Sequence, residues 1–270
     1  MWKEASMHGP APSTILWPPT NPANVLTLCF LFFLVALLYS AAGFGGGSSY
    51  LAILALWGID FQLMKSTALL CNIAVVTGGV YHFYKQGHLP LKKAWQLSLI
   101  SVPMAFIGSY LPLKQEQFFL LLGIALTLAA VCMCYRLFFE RNKDTEEVKH
   151  SNGIVYGIIG GGIGLLSGMT GIGGGIYLAP VLKLGKYDTS KNIAGLSSFF
   201  ILVNSISGIF GQVAKKQIVF NWEVVFPLLL AVVIGGQIGA RLSAKVLKPK
   251  WVAAATAILI LYAGVRMLLK

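Results

Sequence analysis

"SAAGFGGGSSYLAILAL", residues 40–56, sets a run of glycine and serine inside an otherwise lipid-like stretch. Glycine is a poor helix former, and a bilayer penalises any backbone whose N–H and C=O groups stay unpaired. A second stretch, "SGMTGIGGGIYLAPVLKL" at residues 167–184, repeats the pattern. Each glycine run leads into an apolar segment of only 12 or 11 residues, 46–57 and 174–184. At about 1.5 Å per residue neither crosses about 30 Å of hydrocarbon as a helix. Broken backbone at membrane depth is tolerated only where protein or a water-filled cavity covers it.

Outward from these breaks the chain is uniformly apolar. Its 270 residues are 56% hydrophobic and 11% charged, against roughly 25% charged in a soluble domain. Apolar runs occupy 24–42, 46–57, 65–84, 94–112 and 117–139, and then 153–169, 174–184, 192–213, 222–241 and 251–269. The pattern predicts an all-α polytopic membrane protein of about 8–10 membrane segments. An exposed Pro-rich tail (1–23) precedes a first transmembrane repeat (24–140), a charged linker (141–152) and a second transmembrane repeat (153–270). Pro10, Pro12, Pro18, Pro19 and Pro22 forbid a continuous helix in the tail, where Trp17 suits the lipid interface. The start carries little positive charge and the stretch after it recurs in the second half, so it is read as retained rather than as a cleaved leader.

Setting Gly43 on Gly171, an offset of 128, brings Gly45, Gly46 and Gly47 onto Gly173, Gly174 and Gly175, and Asp60 onto Asp188. A two-residue slip then matches "KSTA" (65–68) with "KNIA" (191–194) and Asn72 with Ser198. A three-residue shift the other way sets Gly79 on Gly208. Two halves with one internal plan mark a transporter-type repeat. If each short segment merges with its predecessor into one crossing, Lys and Arg divide evenly between the two sides. If each instead returns the chain to the side it came from, one side collects fourteen basic residues and the other keeps seven: Lys3, Lys65, Lys114, Lys215, Lys216, Arg266 and Lys270. The second arrangement obeys the positive-inside rule, inverts the halves and puts both termini outside.

A glycine break ahead of a short helix presents free N–H groups and the positive end of a helix dipole. Two breaks related by inversion would cradle negative charge near the midplane. The alternative is close helix packing through small-xxx-small spacing, favoured for Gly160 with Gly164 and Gly235 with Gly239. Candidate substrate contacts are therefore Gly45, Gly46, Gly47, Gly173, Gly174 and Gly175, with Ser48, Ser49 and Thr170 flanking them. Lys65, Asn72 and Gly79 stand seven apart, as do Lys191, Ser198 and Ser205, so each trio follows one helical face. Thr67, Asn72, Ser197, Ser198 and Asn204 add amides and hydroxyls at similar depth, although such groups also serve helix packing. Lys65 and Lys191 either gate an anion from opposite faces or snorkel to the headgroups. His82 is the one histidine placed to carry a proton, with an interfacial hydrogen bond as the alternative.

Absences narrow the classes. No Asp or Glu lies deep within the apolar runs, Glu116, Glu140 and Glu223 standing at their ends, which speaks against carboxylate proton relays and cation sites. Cys29, Cys71, Cys132 and Cys134 lie in apolar runs and read as small hydrophobes, so no metal or other cofactor is expected. Paired carboxylates, HExxH and Ser–His pairs are missing from the spans, so no enzyme is expected. Basic residues are dispersed, which disfavours nucleic acid as a partner; the lipid bilayer and a small anionic substrate are the expected ones.

"GFGGGSSYLAIL" and "GIGGGIYLAPVLKLG", each followed by a lysine-led helix, resemble the paired motifs of the TauE/SafE family of sulfite and organosulfonate exporters over residues 24–269. The resemblance implies a secondary carrier of small sulfur-containing oxyanions or organic acids in a bacterial inner membrane, with inverted halves. The family's proline after the glycines is Pro180; Ala52 stands in its place in the first half. A passive anion channel would use the same chemistry.

Overall fold

A computed structural model describes residues 22–41, 43–139, 153–216, 218, 220–242 and 249–269. Residues 1–21 of the tail and the 141–152 linker lie outside the described residues. The first half comprises α1 (Pro22–Ala41), α2 (Gly47–Leu56), α3 (Phe61–Lys85), α4 (Leu91–Tyr110) and α5 (Gln115–Phe139). The second comprises α6 (Gly153–Thr170), α7 (Gly175–Leu184), α8 (Ser190–Ala214), α9 (Trp222–Leu242) and α10 (Pro249–Leu268). These follow the ten apolar runs within a few residues. Pro22 and Ala23 belong to α1 rather than to the tail, since proline suits the first helical position. Among the described residues, five helices, α1, α3, α6, α8 and α9, are long and apolar enough to cross a membrane by length and composition.

Large apolar side chains clothe the outside: Leu26, Phe30, Leu99, Ile158, Phe210 and Phe226 are all exposed, as a lipid-facing surface requires. Glycine brings helices together beneath it. Ordinary side chains at Gly160, Gly164 and Gly168 would collide with the carbonyls of Leu97, Ser101 and Ala105, so α6 lies directly on α4. Gly235 and Gly239 fit α9 in the same way onto Phe33 and Leu37 of α1. Close packing is thus the observed role of both small-residue pairs.

These contacts also fix direction. Residue numbers rise together along α4 and α6, and along α1 and α9, so both pairs are parallel. In α3 and α8 they run oppositely: Ser66 meets Gln212, Leu69 lies at Gly208, and Gly79 faces Ser198. Gly123 against Leu268 and Thr127 against Gly264 make α5 and α10 antiparallel too. Exchanging the halves maps α1·α9 onto α4·α6, α3·α9 onto α4·α8, and α2·α3 onto α7·α8.

One sequence match is corrected. α3 and α8 are both 25 residues long and begin at 61 and 190, an offset of 129 throughout. Lys65 therefore corresponds to Ala194 and Asn72 to Ile201, not to Lys191 and Ser198. The turn between α2 and α3 spans 57–60 whereas that between α7 and α8 spans 185–189, one residue longer. That extra residue converts the offset of 128 at the breaks into 129, and the two lysines resemble each other only as letters.

Candidate functional site

Both breaks exist because of backbone geometry. Gly46 and Gly174, at φ 86° and 80°, immediately precede α2 and α7 in the left-handed region, where an L side chain costs about 1–2 kcal/mol. Neither supplies a side-chain cap, so the first-turn N–H groups of both short helices lack the usual partner. Residues 45–50 and 170–176 are all buried, so both N-termini sit inside the protein.

The breaks touch. A Cβ at Gly47 would lie 2.5 Å from the Ile172 carbonyl oxygen and would overlap the Asn72 amide. Asn72, on α3, sits between them: its Nδ2 donates to Ile172 O at 3.0 Å. Its Oδ1 faces Gly45 and Gly47, fully buried and without a hydrogen-bond partner. From the other half, Ser198 Oγ on α8 donates to Gly43 O at 2.6 Å. Each half thus holds the broken backbone of its counterpart. Ser205 Oγ, also buried and unpartnered, borders Gly173.

The other expected residues distribute unevenly. Ser49 and Ser48 meet the Tyr39 hydroxyl at 2.7 and 3.5 Å beside the first break. Thr170 Oγ1 donates to Leu166 O within its own helix at 2.7 Å, which removes it as a free donor. Thr67 and Ser197 are buried, and Ser197 Oγ lacks a partner. Asn204 Nδ2 is bonded to Phe200 O at 2.8 Å while its Oδ1 is unpartnered. Lys65 is buried with its stem across Gly171, whereas Lys191 is exposed. His82 lies ten residues beyond Asn72, about 15 Å along the helix, and pairs with Gln86 at 2.8 Å; the structure does not bring it to the breaks.

Charge is treated differently at the two ends. At the end where α4 and α8 begin, Lys93 pairs with Asp188 at 2.8 Å. Burial pushes the Asp188 carboxyl up, but hydrogen bonds from Lys93, the Thr189 N–H and Asn192, with the Lys93 charge, together hold it below the usual carboxylate range. Where α3 begins and α8 ends, Lys65 and Lys215 have no carboxylate partner among the described residues. Tyr50, Ser205, Gln212 and Lys215 escaped the sequence reading of the site. Ser205 alone carried a signal, through its spacing from Ser198.

A family model described as Sulfite exporter TauE/SafE matches residues 28–267. The chain belongs to the TauE/SafE family. Members of that family are membrane transporters, and curated relatives of this TauE/SafE chain carry the same description. Probable membrane transporter protein y4hK of Sinorhizobium fredii is 29% identical over 246 residues, spanning 91% of this chain and 98% of its own. Probable membrane transporter protein YjnA of Bacillus subtilis is 24% identical over 254 residues, 87% and 96% of the two chains. Probable membrane transporter protein MJ0441 of Methanocaldococcus jannaschii is 26% identical over 193 residues, 67% and 70%. No solved structure matches the chain.

Proposed function

We propose that this TauE/SafE chain is a secondary transporter that moves a small anion by alternating access, its halves forming an inverted-topology repeat. The carrying observation is the meeting of two buried, uncapped helix N-termini from opposite halves, bridged by the bond from Asn72 Nδ2 to Ile172 O. Two positive dipole ends with no carboxylate beside them favour an anionic guest. The antiparallel course of α3 against α8, and of α5 against α10, supports the inversion. Sulfite, an organosulfonate or a related sulfur-containing or organic acid is the substrate class that the family description favours. A weak acid of this kind can bring its own proton, so the missing intramembrane carboxylates are no obstacle to proton coupling.

The cradle would consist of Gly45–Gly47, Gly173–Gly175, Ser48, Ser49, Asn72 and Ser198, with Thr67, Ser197 and Asn204 along the same two helices. The basic excess on one side supports a bacterial inner membrane location with both termini outside. A passive anion channel would use the same groups, but the burial of both breaks favours a carrier that opens to one side at a time. Counterflow decides the matter. Proteoliposomes loaded with unlabelled sulfite should transiently accumulate external labelled sulfite above equilibrium. Simple equilibration would assign the channel, and no flux of sulfite, a sulfonate or a short carboxylate would overturn both readings.

A further inference from the structure

The end of the molecule where α3 begins and α8 finishes holds a cluster that the cradle does not use. Lys65, in the second turn of α3, is only 8% exposed, and its stem rests where a Cβ at Gly171 would come within 2.9 Å. Across from it, Gln212 in the last turn of α8 is 3% exposed. Its Oε1 accepts the Ser66 hydroxyl, which leaves Nε2 buried with no acceptor. Lys215, capping the C-terminus of α8, has an ammonium group shielded from solvent and likewise without a partner. It stands about one turn beyond Gln212, which is bonded to Ser66, the residue next to Lys65, so the two lysines share this end of the molecule.

A shielded ammonium group and a shielded amide donor without acceptors, close to a second buried lysine, are costly unless something negative joins them. The local acids do not. Asp60 is exposed and accepts the N–H groups of Gln62 and Leu63 at 2.9 and 3.3 Å, and Glu116 is exposed. A cleft opens at this point, walled by Phe61, Leu111, Leu113, Phe118 and Met169 and floored by Lys65 and Gln212. Its floor adjoins Gly171, so an occupant would stand next to the second break.

The opposite mouth has no equivalent. At the offset of 129, Lys65 corresponds to Ala194, Gln212 to Phe83 and Lys215 to Gln86. Lys191, which the sequence pairs with Lys65, is exposed. Among the described residues, the twofold scaffold therefore carries this charge cluster at one end only.

We propose that Lys65, Lys215 and Gln212 form a binding site for a compact oxyanion at this mouth, separate from the cradle and absent from the other mouth. Two ammonium groups and one amide N–H suit an oxyanion with several acceptor oxygens, donated as charge-assisted hydrogen bonds. The oxyanion is either a dissolved ion or the phosphate of an anionic lipid headgroup, and the test separates the two. The site does not depend on the carrier reading, because its test measures binding and not flux.

The full chain is reconstituted in phosphatidylcholine nanodiscs at low salt, and labelled sulfate binding is measured by equilibrium dialysis. Wild type should bind saturably. Lys215→Met and Gln212→Met should each weaken binding roughly tenfold or more, the loss of one charge-assisted or buried hydrogen bond. Lys216→Met, which removes an exposed charge from the same turn, should bind as wild type does. Should Lys215→Met fail to elute as a folded species, Lys215→Gln replaces it. A second arm adds phosphatidylglycerol to the discs. Sulfate binding that withstands it assigns the site to a dissolved ion. Phosphatidylglycerol that displaces sulfate, and co-purifies with wild type but not with Lys215→Met, assigns it to the headgroup. Variants that bind both as wild type does overturn the proposal.

Discussion

Asn72 and Ile201 hold matching places in the two halves, yet only one of them brings a polar group to the breaks. Asn72 faces Gly45 and Gly47; Ile201 faces Gly173 and Gly175. One turn further on the balance reverses, with Val76 beside Gly45 and Ser205 beside Gly173. Before the breaks Tyr39 corresponds to Ser167, and after them Ser48, Ser49 and Tyr50 correspond to Ile176, Tyr177 and Leu178. The backbone shape repeats because glycine and helix direction produce it. The side chains do not repeat. A twofold scaffold here carries a lopsided interior, and a guest in it would meet different polar groups from each half.

The largest expected effect tests the repeated part. Gly46→Leu and Gly174→Leu each impose a left-handed φ on a branched residue, about 1–2 kcal/mol, and crowd a full site, about 1–3 kcal/mol more. A Cβ at either position would come within 2.9 Å of its neighbours, Tyr50 and Val35 in one case and Phe200 in the other. Both should reduce sulfite counterflow to background while the protein still inserts and elutes as a single species. Normal flux in one of them would show that the two breaks are not equivalent in shape.

The next test addresses the part that does not repeat. Asn72→Leu removes the bond to Ile172 O and the unpartnered Oδ1, a loss of about 1–3 kcal/mol, so half-saturation should rise roughly tenfold or more. Ile201→Val, at the matching place, should cost about 0.5–1.5 kcal/mol of stability and leave half-saturation alone. Equal effects on half-saturation would mean that the guest reads both halves alike.

A smaller effect separates packing glycines from idle ones within a single helix. Gly168→Ala sets a methyl against the Ala105 carbonyl and should lower the unfolding midpoint by an overpacking cost of about 1–3 kcal/mol. Gly162→Ala meets nothing within 4 Å and should leave the midpoint level or raise it, since alanine is the better helix former by about 1 kcal/mol. A midpoint for Gly168→Ala at or above that of Gly162→Ala would contradict direct contact between α4 and α6.

Most of the fold could be read from the sequence because lipid leaves the chain few options. Apolar runs must be helices, and a glycine-rich interruption must be covered. Lys65 and Lys215 lie at one end of the molecule, where Ser66 on α3 donates to Gln212 on α8. Helix register was harder to read. Matching "KSTA" to "KNIA" aligned letters, whereas Asp60 and Thr189, which cap α3 and α8, set where each helix starts. Asn72 was singled out by its seven-residue spacing from Lys65, and its counterpart was misassigned because the match followed letters. Gln212 and Lys215 were out of reach, because no local period shows that the end of α8 lies on the start of α3. That contact is a product of tertiary packing.

The smallest expected effect contrasts the two mouths. Lys93 and Asp188 pair at one of them, while Lys65 and Lys215 at the other have no carboxylate partner among the described residues. The Asp188 carboxyl titrates near 3.8 when unfolded and lower when folded. Its contribution is therefore complete above about 3.8 and disappears as pH falls through the folded value, because the unfolded chain takes up the proton first. Lys93 is partly exposed, so the pair is worth about 1 kcal/mol or less. Asp188→Asn keeps the shape and removes the titration. The wild-type unfolding midpoint should fall further than that of Asp188→Asn between about pH 6 and pH 3, and the two curves should converge at the acid end. Parallel curves would mean that the pair contributes nothing, and that the two mouths differ only in which charges happen to touch.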